Sequence, residues 1–320
     1  MLVDLVETTA ADGLRLDGVL HRPEHADTGQ LAALRPDVDA VLVVHGTGSN
    51  FYGSRFLTAI AERAASQWGA AALVANTRGH DQIGSALVRN ADGSTGSRTV
   101  GSAFEFVDEC RFDLAAWVGL LHERGYRRIV VIGHSLGAVK TVYAAVELAA
   151  AGQPLPGVVA LAAVSPPRLS YSHFAASVRG PGFLEEVASA ERHIAEGRPQ
   201  ELMSIRFPLP YVITAESYLD KYGPAERYNL LKFVDRLPLP TLFTFGSQEV
   251  LQGIAFREFP DELVKFETAG TGPSGTGPKA APLKTAVIGG GDHHYTGVQG
   301  VLLDTIERWL RKLSATEKST

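Results

Sequence analysis

Three residue types that together can cleave a carbonyl bond lie far apart in this chain of 320 residues, each shortly after an apolar run. Ser135 sits in Gly133-His134-Ser135-Leu136-Gly137, directly behind the run at 129–132. A serine hydroxyl is a poor nucleophile at neutral pH and needs a base oriented by a third group. A strand running into Gly-x-Ser-x-Gly and on into a helix forces the serine into a strained backbone, so close neighbours must lack side chains. Gly133 and Gly137 meet that need. The helix that follows directs free N–H groups toward the hydroxyl and favours an anion there, which makes Leu136 N–H one expected oxyanion donor. The plainer alternative is a glycine-rich turn carrying a solvent-facing serine.

The base is expected in Gly289-Gly290-Gly291-Asp292-His293-His294, a glycine-rich loop between the last apolar run and a closing helix. His293 is the first choice and His294 the second. The acid should follow a strand between serine and histidine, and residues 241–245 lead into Gly246-Ser247-Gln248-Glu249. Glu249 would fix the imidazole tautomer, with Asp235 and Asp220 as fallbacks. A tetrahedral intermediate needs a second donor, and the run 41–44 ends in His45-Gly46-Thr47-Gly48-Ser49. The carboxyl ends of parallel strands converge on one crevice, so Thr47 N–H is expected beside Ser135. That loop lacks the Gly-Lys-Ser/Thr ending and the G-x-G-x-x-G spacing of phosphate-binding loops. Asp292-His293-His294 could be taken for metal ligands, but sequence neighbours point apart and no further cluster completes a site. No metal and no cofactor are expected.

These residues need a scaffold that brings strand ends together. Residues 2–9 and 14–20 read as an antiparallel pair joined through Asp12-Gly13. Strand-like runs at 40–45, 71–76, 128–132, 157–164, 240–245 and 284–288 then alternate with helical patterns at 55–68, 105–124, 136–151 and 298–313. Continuous apolar strands separated by helices imply a doubly wound α/β architecture with a mostly parallel sheet covered on both faces. After residue 164, Pro166-Pro167 breaks the alternation. Residues 165–237 are expected to form an inserted helical cap, with helices at 182–196 and 214–220 continuing near 224–234, on a core domain of residues 1–164 and 238–320. Segments 90–99 and 270–277, rich in Gly, Ser and Thr, read as surface loops.

Within the insertion, Tyr171, Phe174, Tyr211 and Tyr218 are expected to line a substrate pocket, alongside Phe183 and Tyr222. Arg78 and His80 are expected to brace loops, His134 to point away from the serine, and Cys110 to be a buried apolar residue. Composition excludes other classes. A net charge of −5 without a basic block gives no footprint for nucleic acid or an anionic membrane. The N-terminus lacks a signal-peptide pattern, and no apolar stretch reaches the ~18 residues that span a bilayer. A soluble, cytoplasmic protein acting on a small molecule is expected, and one cysteine allows no intrachain disulfide.

With these motifs in hand, the chain resembles the α/β-hydrolase superfamily, in particular serine esterases and lipases, over almost its whole length. The order Ser135, Glu249, His293 matches that fold's order of nucleophile, acid and base. Asn76-Thr77-Arg78-Gly79-His80 stands where such proteins carry Asp-x-Arg-Gly-His, with Asn76 replacing the aspartate, and Glu249 replaces the more frequent Asp. Residues 211–224 resemble a segment of capped hydrolases similar to siderophore esterases, which carries no substrate assignment. The resemblance implies hydrolysis of a carboxylic ester, thioester or lactone through an acyl-enzyme. Two alternatives stay open: acyl transfer, carbon–carbon cleavage or cyclisation on the same fold, and a non-catalytic ligand-binding protein on a hydrolase scaffold.

Overall fold

Short runs of Val, Leu, Ile and Ala build the centre of the sheet. The computed structural model describes residues 2–23, 35–269 and 280–317, so the loop expected at 270–277 lies outside the described residues. The chain opens with β1 (Leu2–Thr9) and β2 (Arg15–Arg22), followed by β3 (Ala40–Val44), α1 (Arg55–Arg63, continued by a π turn to Trp68) and β4 (Ala71–Ala75). A hairpin of β5 (Gly84–Arg89) and β6 (Thr95–Val100) precedes α2 (Cys110–Glu123), β7 (Ile129–His134), α3 (Leu136–Ala150) and β8 (Val158–Val164). Next come α4 (Tyr171–Ala175), α5 (Gly180–Ala195), β9 (Leu202–Ile205), β10 (Tyr211–Thr214) and α6 (Ala215–Tyr222). The chain then forms β11 (Thr241–Gly246), α7 (Ser247–Gln252), α8 (Phe259–Ala269), β12 (Leu283–Ile288) and α9 (Gln299–Glu317).

Eight strands form one sheet in the order β1-β2-β4-β3-β7-β8-β11-β12. The β1–β2 and β2–β4 pairs are antiparallel and the rest parallel. Every residue of β3, β4 and β7 is buried, because both faces are covered. Alternate residues serve opposite faces: Val41, Val43, Val130 and Ile132 pack with α1 and α9, while Leu42, Val44 and Val131 join the core that includes α2 and α3. β2 alternates exposed and buried residues, as a strand near a sheet edge should.

β4 lies on one side of β3 and β7 on the other, so the order reverses at β3. The loops leaving β3 and β7 therefore flank one crevice at the carboxyl edge. This topology seats the His45 loop against Ser135.

Three expectations need correction. Residues 90–99 carry the turn and most of β6, paired antiparallel with β5, because Thr95–Val100 alternates exposed and half-buried residues that polar composition disguises as loop. The helix expected from residue 105 starts as a 3-10 turn at Val107–Glu109 and becomes α-helical only at Cys110. The segment 165–237 is not purely helical: a hairpin of β9 and β10 stands between α5 and α6. Its Phe174, Phe183 and Phe207 rings meet edge-on or tilted at 4.9–5.6 Å and extend the core that includes α2 and α3.

Candidate active site

β7 delivers Ser135 into a conformation that L-residues avoid, with φ 57° and ψ −126°. Such a backbone costs on the order of 1–3 kcal/mol and persists only where the surroundings enforce it. Here the Ser135 N–H donates to Val164 O at 2.9 Å and its carbonyl accepts from Ala138 N–H at 2.9 Å. A Cβ on Gly133 would stand 2.2 Å from Gly137 O, and one on Gly137 2.4 Å from Val44 O and His45 O. Both glycines are therefore required by backbone crossing backbone. A Cβ on Gly46 would reach to 3.2 Å of Ser135 Oγ, which places the loop after β3 directly against the hydroxyl.

Ser135 opens into a cavity of about 360 Å³ also lined by Gly46, Thr47, Leu136 and His293. Neither the Thr47 nor the Leu136 amide has a hydrogen-bond partner among the described residues. Both amides remain available to an oxygen bound at Ser135.

His293 sits on the loop after β12, and its Nδ1 lies 2.7 Å from Glu249 Oε2. Nδ1–H donates to the carboxylate, leaving Nε2 with its lone pair. Glu249 is itself fixed: Oε1 accepts from Gly246 N–H at 2.7 Å and from the Ser165 hydroxyl at 2.6 Å. That hydroxyl is 2.9 Å from the buried Tyr295 hydroxyl, which lies 3.2 Å from Thr244 Oγ1. The acid and histidine loops are joined by Gln248 N–H to Gly291 O at 2.9 Å and Gly290 N–H to Ser247 Oγ at 2.9 Å. Gly246 permits the approach, since a Cβ there would meet Gly291 O at 2.3 Å.

The fallback acids lie elsewhere. Asp220 accepts from the Tyr228 hydroxyl and Val107 N–H and pairs with Arg227, and Asp235 lies on a 3-10 turn at Val234–Arg236. Asp292 folds inward, its Oδ1 accepting from His294 N–H and Thr296 N–H at 2.9 Å. His294 lines the same cavity but its ring makes no contact with Glu249 comparable to that of His293.

Four expected pocket aromatics are placed differently. Phe174 and Tyr218 are fully buried, and neither they nor Tyr171 and Tyr211 line the cavity. Tyr222 does line it, and its hydroxyl is 3.1 Å from that of Tyr211. Residues 165–237 contribute Pro167, Leu169, Pro208, Leu209 and Tyr222 to the wall, faced by Ala255 and Phe256 from beyond β11. His134 does not point away: it lines the cavity, and its Nε2–H donates to His293 O at 2.8 Å. Its ring packs against Phe56 and His293, both at 4.8 Å between centroids. Sequence reasoning missed this brace and Ser165; a non-glycine φ of 51° marks Ser165 as unusual only once coordinates are known.

A second buried network supports the loop after β3. His45 Nε2 accepts from Thr77 N–H at 2.9 Å, so its proton is on Nδ1, which lies 2.7 Å from Gly46 O. Lys140 donates to Thr77 Oγ1 at 3.0 Å and pairs with the fully buried Glu105. Burial and the Lys140 charge push the His45 pKa down to about 3. Arg78, also buried, ties Asp113, Asp12 and Glu109 together, while Cys110 is buried with its thiol pKa raised by desolvation. His80 Nδ1 lies 3.0 Å from Thr77 O.

Comparison with known proteins agrees with this fold. The sequence profile of the Alpha/beta hydrolase family matches residues 41–317, and the chain belongs to that family. Solved structures share the fold at low identity. Est1E from Butyrivibrio proteoclasticus is similar with a TM-score of 0.60 at 15% identity, over 97% of this chain and 99% of that one. The alpha/beta hydrolase GrgF from Penicillium sp. sh18 gives 0.62 at 17%, over 98% and 99%. An esterase domain of a Rhodothermus marinus protein gives 0.53 at 18%, over 98% and 99%. No curated protein matches the chain by sequence. No described helix is long and apolar enough to cross a membrane. The protein is a hydrolase of the α/β class.

Proposed function

We propose that the protein is a serine hydrolase that cleaves a carboxylic ester, or a related thioester or lactone, through an acyl-enzyme. The observation that carries this reading is the 2.7 Å contact of Glu249 with His293 in the cavity onto which the strained Ser135 opens. His293 Nε2 takes the Ser135 proton as Oγ attacks the carbonyl carbon, and the oxyanion forms against Thr47 and Leu136 N–H. The imidazolium, stabilised by Glu249, returns the proton to the leaving oxygen as the carbon–oxygen bond breaks. Water, deprotonated by the same nitrogen, then attacks the acyl carbon and releases acid and free Ser135.

Residues 165–237 act as a cap over the acyl side, with Leu169, Leu209 and Tyr222 as its contacts. No Asp, Glu, Lys or Arg lines the cavity among the described residues, which favours an uncharged, largely apolar substrate. A fluorophosphonate probe is expected to label the wild type and to spare Ser135→Ala. Equal labelling of both would overturn the reading.

A further inference from the structure

The cavity at Ser135 has a neighbour on the other side of His294. Ser49, Ser54 and His294 also line a second hollow of about 530 Å³, which runs over Asn50, Arg55 and Gln299 and is more open to solvent. The two spaces are chemically unlike. Both share Ser49, Ser54 and His294, but the more enclosed one adds Pro167, Leu169, Leu209, Ala255 and Phe256, whereas the open one adds Asn50, Arg55 and Gln299. Ser49 and Ser54 can each donate and accept, and Gln299 spends one amide proton on His294 O at 3.1 Å while its amide oxygen stays available. Partial desolvation and the neighbouring His293 lower the His294 pKa, so this ring is a neutral donor and acceptor at pH 7.

Resting on the esterase reading, we propose that this groove binds the alcohol half of the substrate, that the alcohol bears free hydroxyl groups, and that His294 selects for it. Two chemical arguments assign the sides. His293 must hand its proton to the leaving oxygen, so the alcohol lies beside His293; the rings of His134, Phe256 and His294 adjoin it at 4.8, 5.2 and 5.4 Å between centroids, and of these three only His294 lines the open groove. The alcohol also departs before the acyl group, which stays bonded to Ser135 until water enters; an open groove suits the first product and an enclosed apolar chamber the second. Hydroxyls require partners that both donate and accept, as these do. A carboxylate would require convergent donors, and the groove offers one cation, the exposed Arg55.

The test uses pentanoate esters of propanol, of glycerol at one end (2,3-dihydroxypropyl) and of 3-hydroxypropanoate (2-carboxyethyl), together with propyl 5-hydroxypentanoate. Each kcat/KM is divided by the rate of alkaline hydrolysis of the same ester. The dihydroxypropyl ester is expected to exceed the propyl ester by about tenfold in the wild type. In His294→Leu and in Gln299→Leu the same ratio should fall to within about twofold. Taken inside each variant, the ratio cancels any loss of folded enzyme common to both esters. A wild-type ratio near one, a preference for the carboxyethyl ester, a gain from the hydroxylated acyl chain instead, or ratios unchanged in both variants would each overturn the assignment while leaving the esterase reading intact. Absence of any acylation of Ser135 by all four esters would overturn both.

Discussion

His45 and His293 each stand in a glycine-containing loop that follows a parallel strand and reaches the cavity at Ser135, and the fold treats them oppositely. His45 is wholly buried with both ring nitrogens engaged by backbone, at Gly46 O and Thr77 N–H. His293 is partly exposed, with Nδ1 on Glu249 and Nε2 free in the cavity. The first ring holds a loop in place; on the proposed mechanism the second moves protons. Residue type does not separate the two roles. What separates them is the surroundings: a carboxylate at Nδ1 of a partly exposed ring, against full burial reinforced by the Lys140 charge, which together keep the His45 ring neutral.

Exchanging either ring for an amide should expose the contrast. His293→Gln is expected to lower kcat/KM on an activated ester by ~10⁴–10⁶, since the base is gone. His45→Gln should cost only ~10–10², through slack in the Gly46–Thr47 loop, and should keep labelling by the fluorophosphonate. Comparable losses in steady-state assays of the two variants would erase the distinction. Glu249→Gln should fall between them, at ~10²–10⁴ in kcat, because an amide can present an N–H to Nδ1 and hold the wrong tautomer.

The smallest effect concerns stability. His45 has its pKa lowered from 6.5 to about 3, so folding keeps it neutral where the unfolded chain protonates it. That contribution is complete above pH 6.5 and is lost as the pH falls toward 3, by an amount on the order of a few kcal/mol. Urea unfolding between these limits should therefore show a shallower acid loss in His45→Asn than in the wild type. Parallel curves would show that His45 takes up its proton as readily in the folded protein as in the unfolded chain, against the lowered pKa.

The legible part of this molecule lies at strand ends. Ser135, Glu249, His293, Thr47 and Leu136 could be placed because parallel strands converge at one edge, so motifs that follow apolar runs must meet. Their order along the chain did the rest. Ser165 and His134 were not legible in these roles: Ser165 follows β8 with no flanking motif, and His134 occupies the variable position of its turn. Residues 165–237 are the hardest to read. Their aromatics suggest a pocket, but such a segment must bury apolar surface, and Phe174, Phe183, Phe207 and Tyr218 go into the core shared with α2 and α3. Tyr222, one residue type among many there, reaches the cavity. The strands β9 and β10 have four residues each, too short for alternation to stand out between two helices.

The central claim is a covalent acyl group on Ser135, and mass spectrometry addresses it directly. The protein is mixed with p-nitrophenyl butyrate, quenched in acid during turnover and digested. A butyryl adduct on the peptide containing Ser135 is expected in the wild type, and neither adduct nor turnover in Ser135→Ala. Turnover in Ser135→Ala at the wild-type rate, with no acylated peptide in either protein, would contradict it.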